Sequence, residues 1–356
     1  MLLADAGADI LLIDRPAPGA TAPFSKIENR SRPSVGINLK HADGVALVRE
    51  LIRDADAFIE GFRPGVCERL GIGPEVLLEE NPRLVYGRMT GWGQNGPLAD
   101  RAGHDLNYLA VSGALWSMGR AEEVPSPPLN LAADYGAGGM MLAFGMLAAL
   151  LEAKNSGIGQ VVDATMVDGV ASMLHLVYGF HQDGVWNEQR GRNVLDSGAH
   201  FYEVYETSDN KFMSVGAIEP QFYALLLEGL GLAGEELPSQ HDRSQWPAMK
   251  ERFKALFVTK TRDEWSEIFA GTDARVFPVL STWEARTHPW LQERGTFVEV
   301  EGMLQAQPVP RFSRTPGAIS KPPSVPGADT TTALSAWGVA EDRIAELREA
   351  GALTGP

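Results

Sequence analysis

Cysteine is almost absent: Cys67 is the single thiol in 356 residues, which excludes an internal disulfide and any site built from several thiolates. A chain without disulfides suits a reducing, cytoplasmic compartment. The seven histidines show no short ligand-like spacing, so no metal site is expected. Long apolar runs are also missing. The longest, Met140 to Leu151, falls short of the ~20 residues of a spanning helix, and the N-terminus lacks the basic-then-apolar order of a secretion signal. Neither membrane nor export is expected. Positive charge is scarce: 31 Lys and Arg stand against 46 Asp and Glu, a formal net charge of −15. Nucleic-acid binding needs a positive surface that displaces counterions, so that class of partner is excluded.

An apolar fraction of 44% with 22% charged residues is ordinary for a globular protein, and 356 residues correspond to about two domains at roughly 150 each. The scarce positive charge is unevenly spread. Between Arg15 and Lys40 lie Arg15, Lys26, Arg30, Arg32 and Lys40 against the single acid Glu28. Such a segment either cradles a small polyanion or is a solvated basic loop.

The N-terminal half alternates strand and helix signals. Leu2 to Ala6 reads as a helix stopped by Gly7, and Ile10 to Ile13 as a strand. Asp43 is placed to cap a helix running to Arg53, followed by a strand at Ala57 to Glu60; a helix at Pro74 to Glu80 then leads to a strand at Leu84 to Arg88. This order predicts an α/β domain with a Rossmann-like parallel sheet, whose ligands sit beyond the carboxyl ends of the strands. Long apolar helices follow at Asp134 to Lys154 and Asp163 to Phe180, with the polar stretch around Asn187 to Ser197 as a linker. On helical spacing, Met140, Met141 and Met146 read first as core; the alternative is an adaptable ligand-lining surface. Beyond the linker the pattern changes to a smaller α+β domain. Phe201 to Thr207 and Lys211 to Gly216 form a hairpin around Ser208, Asp209 and Asn210. Thr261 and Glu264 have capping-box spacing, and Val276 to Leu280, with Pro278 inside, fits only an edge strand. The expected divisions are 1–185, a linker 186–200, a small domain 201–305, and 306–356 as a Pro-rich connector with a closing helix near Glu341 to Glu349.

Two segments carry ionisable groups at expected helix starts: Gly103-His104-Asp105-Leu106-Asn107-Tyr108, and Ala133-Asp134-Tyr135-Gly136. A helix N-terminus offers free N–H groups and a positive partial charge, which suits a developing oxyanion. Read alone, Asp134 is an N-cap, His104 a structural histidine and Glu219 a surface carboxylate.

These segments, with Ile13-Asp14-Arg15-Pro16, Asn38-Leu39-Lys40, Ile59-Glu60-Gly61-Phe62-Arg63-Pro64-Gly65-Val66, Arg88-Met89-Thr90-Gly91-Trp92-Gly93-Gln94-Asn95-Gly96-Pro97 and Gly216-Ala217-Ile218-Glu219-Pro220, resemble the family III CoA-transferase superfamily, and within it the α-methylacyl-CoA racemases. The resemblance spans nearly the whole chain. It implies racemisation of 2-methylacyl-CoA thioesters through an enolate, with His104 and Asp134 as the acid/base pair. Glu219 would support His104, and Asp105 would present its N–H to the thioester oxygen. No separate cofactor is implied, CoA being part of the substrate. CoA contacts would fall on Arg15, on Ile37, Asn38, Leu39 and Lys40, on Gly61, Phe62 and Arg63, on Arg69, and on Gly103 through Tyr108. The resemblance also implies an interlocked homodimer. A family III transferase using Asp134 as nucleophile is the rival reading, and His104 argues against it. The family normally opens with a strand and a Gly-Pro turn that this chain lacks, so a non-catalytic CoA-binding protein is the second rival.

Overall fold

The computed structural model describes residues 1–15 and 24–355. By its internal contacts the chain forms two compact units. One is Met1–His104, Ala133–Gly169 and His288–Pro356; the other is Asp105–Ala132 and Val170–Thr287. These bounds differ from the expected 1–185, 186–200, 201–305 and 306–356. The stretch expected as a linker carries buried Asn193 and Asp196 inside the second unit, where Asp196 accepts hydrogen bonds from the backbone N–H groups of Gly191 and Asn193.

The first unit holds two parallel sheets. β1 (Leu12–Asp14) pairs with β2 (Ser34–Gly36), and β3 (Ala57–Glu60), β4 (Val85–Thr90) and β5 (Gln160–Thr165) lie side by side in that order. The strand at 57–60 and the helix Pro74–Glu80 fall as the sequence predicts. The second helix does not. Residues 160–165 form a strand, whose Val161, Val162 and Thr165 are the β-branched types that favour one, and helices Met166–Met173 and His175–Gln182 follow. The helix Ala42–Ile52 is capped by His41 rather than Asp43, the ring Nδ1 accepting from the Asp43 N–H. The closing helix Glu341–Glu349 returns as expected: its Ile344 and Leu347 join Val35, Leu47 and Leu77 in one core.

A continuous helical stretch, Leu131–Ser156, covers the second sheet. At 26 residues it is long and apolar enough to cross a membrane by length and composition, more than the apolar run at 140–151 suggests. Its inner face, Leu142, Met146, Ala149 and Ala153, packs with Val85 and Ala164 in a core cluster. Gly87 and Gly145 permit this approach, since a Cβ on either would collide with Met146 or Val162. Met146 is core, as predicted, whereas Met140 and Met141 are exposed.

In the second unit β6 (Tyr202–Glu206), β7 (Phe212–Gly216) and β8 (Val276–Val279) form an antiparallel sheet with β8 at the edge. Asn210 takes the left-handed conformation of the hairpin turn, and Thr261 and Glu264 make the capping box. A hairpin of β9 (Phe297–Val300) and β10 (Met303–Ala306), which the sequence pattern did not reveal, returns the chain to the first unit.

The basic segment is partly structural. Arg30, 1% exposed, donates to both carboxylate oxygens of Asp5, to the Gln305 side chain and to the Ala306 carbonyl. Arg32 bonds the Glu28 carbonyl and Asn29. The Lys26 side chain lies outside the described residues, as does Pro16. Removing one partner of a buried pair strands the other charge. Arg30→Met is therefore expected to cost about 3–5 kcal/mol, read as a fall in unfolding temperature of roughly 10 °C. An unchanged temperature would remove this pair from the determinants of stability.

Candidate active site

Three of the expected contact segments follow the carboxyl ends of parallel strands, where open α/β sheets bind ligands. Arg15 follows β1 and is exposed. After β2, Ile37 is buried and donates its N–H to the Asp14 carbonyl, Asn38 donates to the Ala352 carbonyl, and the Asn38 side chain accepts from the Lys40 N–H. These bonds fix the turn and leave the Lys40 side chain exposed. After β3 comes the turn Gly61 to Gly65, with Gly61, Phe62 and Arg63 exposed and Gly65 left-handed at φ 78°. Arg69, in the short helix Val66–Leu70, is exposed, and its guanidinium folds back over Gly65. Each of the three turns thus presents one cation suited to phosphate contact.

The 61–65 turn rests on an ion cluster that sequence reasoning missed. Glu60 and Arg88 are partners in the β3–β4 register, and both are buried. Burial pushes the Glu60 carboxyl above the ordinary carboxylate range; the Phe62 N–H, at 2.7 Å, and Arg88 oppose that shift. The Arg88 guanidinium also bonds Glu68 and holds that carboxyl below its usual range. The signal available in the sequence was an Arg and a Glu, each inside a run that otherwise reads as a buried strand. Such residues are almost never buried unpaired.

His104 is exposed and stands immediately before the helix Asp105–Val111, and Gly103 before it is half-buried. Within that helix Asp105 and Tyr108 are buried, while Leu106 and Asn107 are exposed. Asp134 is half-buried and is not an N-cap. It is the fourth residue of Leu131–Met140, a π-helical stretch that continues into the α-helix Met141–Ser156. Such wide turns are rare and often mark functional sites. Glycine accounts for the placement here. A Cβ on Gly138 would press on Met89 and Met166, and one on Gly169 would overlap the Ala137 carbonyl oxygen. The π-helical turns therefore lie against the carboxyl-terminal end of β4 and the start of the 166–173 helix.

His104 and Asp134 both belong to the first unit. Glu219, exposed at the N-cap position of the helix Pro220–Gly229, belongs to the second. Among the described residues, no group of three or more His, Cys, Asp or Glu side chains is arranged to hold a metal ion. A cavity of about 490 Å³ in the second unit is lined by none of the expected residues. Its Lys250 and Lys254 are already engaged with Glu203 and Glu251.

Residues 1–330 match the model of CoA-transferase family III, and the chain belongs to that family. It is 46% identical to the alpha-methylacyl-CoA racemase of Mus musculus and 43% identical to that of Homo sapiens, in each case over 98% of this chain and 91% of the relative. A CAIB/BAIF family protein from Brucella suis has the same fold, with a TM-score of 0.78 over 94% of this chain and 93% of that one, at 21% identity.

The close approach at Gly169 gives a direct test of how the Asp134 turns are held. Gly169→Ala forces the 166–173 helix away from Ala137 and is expected to destabilise by about 1–3 kcal/mol. Gly179→Ala, inside the 175–182 helix with open space around the added methyl, serves as the control expected to hold or slightly raise the unfolding temperature. Equal temperatures for the two variants would show that this contact does not constrain the helix.

Proposed function

We propose that this protein racemises the α-carbon of 2-methylacyl-CoA thioesters by 1,1-proton transfer, with His104 and Asp134 as the two acid/base groups. The observation that carries this reading is a histidine immediately before the 105–111 helix in a chain 43–46% identical, over nearly its full length, to two proteins named alpha-methylacyl-CoA racemase.

Inversion beside a thioester requires a proton to leave one face of the carbon and another to arrive at the opposite face, so two groups must flank it. One must start protonated and the other deprotonated for either direction to run. A general base supplies ~10²–10⁴ in rate; the rest comes from electrostatic stabilisation of the enolate oxygen, for which the Asp105 N–H is the proposed donor. Arg15, Lys40 and Arg63 are the proposed phosphate contacts, with Arg69 beside the 61–65 turn.

With one epimer of a 2-methylacyl-CoA in D₂O, deuterium should appear at the α-carbon together with the opposite epimer. His104→Ala should abolish exchange in at least one stereochemical direction. Retained protium, with CoA moving instead to an added carboxylic acid, would replace racemisation by transfer through Asp134 as nucleophile.

The proposed assembly is a homodimer of interlocked chains. Its support is the outer face of the 131–156 helix, where Met140, Phe144, Leu147 and Leu151 recur at helical spacing and are all exposed. Glu219, in the other compact unit from His104, is assigned to the His104 of the second copy, whose ring it would orient. Phe144→Asp combined with Leu151→Asp should convert a dimer to a monomer in sedimentation velocity. A wild-type monomer would overturn the assembly.

A further inference from the structure

We infer that Arg88 is a positioning residue for nucleotide recognition: by gripping Glu60 on one side of the 61–65 turn and Glu68 on the other, it presets Phe62 and Arg63 to receive the nucleotide end of CoA. The inference rests on the proposed CoA-thioester substrate.

Glu60 closes β3 and Glu68 lies in the helix after the turn, so the two carboxylates bracket it in the chain. Arg88 Nε donates to Glu60 Oε1 at 2.9 Å, and its Nη1 donates to Glu68 Oε1 at 2.8 Å. The second Glu60 oxygen accepts the Phe62 N–H. Within the turn the Val66 N–H bonds the Arg63 carbonyl at 3.1 Å. Both ends and the first residues of the turn are therefore held before any ligand arrives. The side chains it displays are left to solvent: Phe62 is 46% exposed and Arg63 is exposed. A flat apolar ring beside a guanidinium fits a planar base linked to phosphate.

Stability alone does not call for this cluster. A buried ion pair is matched or exceeded by well-packed apolar residues, because the desolvation cost offsets the attraction. Its effect is geometric. A turn already in its bound shape loses less conformational freedom on binding, and that saving appears as affinity.

Arg88→Gln removes the fork, Arg88→Lys keeps the charge, and Glu68→Gln weakens only the arm whose carboxylate side chain is 44% exposed. The probes are CoA itself by calorimetry, a 2-methylacyl-CoA, and the matching pantetheine thioester, which lacks the nucleotide. Arg88→Gln should raise the Kd for CoA and the KM for the acyl-CoA about tenfold, with kcat within about twofold. Its kcat/KM on the pantetheine thioester should match wild type, and Arg88→Lys should recover part of the loss. If Arg88→Gln does not fold, Glu68→Gln carries the test, with an expected rise of about threefold in the same selective pattern. Equal losses on both thioesters, or an unchanged Kd, would overturn the positioning role while leaving the proposed function in place. A wild-type protein that binds no CoA overturns both.

Discussion

The contact on which the candidate site depends is the close approach of the 131–156 helix to β4 and β5. Gly87 on the sheet and Gly145 on the helix have no side chains to hold the two layers apart, so Leu142 and Met146 settle onto Val85. At the other end Gly138 and Gly169 do the same against Met89, Met166 and Ala137. With both ends of the helix fixed on the sheet, the π-helical turns bearing Asp134 have little room to shift. Interiors packed at crystal density transmit such constraints rather than absorbing them.

The same helix meets two different demands. Its inner stripe is satisfied within the chain, while its outer stripe of Met140, Phe144, Leu147 and Leu151 is not. An apolar helix with both faces hydrophobic is normally buried on both. The proposed homodimer would give the outer face that cover, and would bring the Glu219 of one copy to the His104 of the other.

The strand at 57–60, the helices at 74–80 and 341–349 and the hairpin at 202–216 were legible because each carries its own local signal, whether periodicity, turn chemistry or a cap. β2 was not. Ser34, Val35 and Gly36 are all buried, and three residues without alternation give no period to read. A helix was expected to begin at Asp163, where β-branched neighbours make a strand. Of the site, His104 and Asp134 could be singled out only through the resemblance, since each alone reads as a helix-end residue. Glu60, Arg88 and Glu68 escaped notice because their roles depend on register and burial, which appear only once β3 and β4 lie side by side. The basic segment illustrates the reverse: charge counting pointed to a ligand, yet Arg30 and Arg32 are turned to neighbouring groups of the protein, and among its described side chains Arg15 and Lys40 stay exposed.

The second unit is written in the gene as two separated pieces, 105–132 and 170–287, joined only in the folded chain. Glu203 holds Arg120, and Arg190 reaches the carbonyls of Trp116, Arg120 and Glu123 while its guanidinium lies over the Trp116 ring. Recombination between relatives at a single crossover near residue 170 would therefore mate half of this unit with a stranger's other half. A viable exchange must carry both pieces together, and two of the four junctions that bound them, at 104–105 and 132–133, fall beside His104 and Asp134.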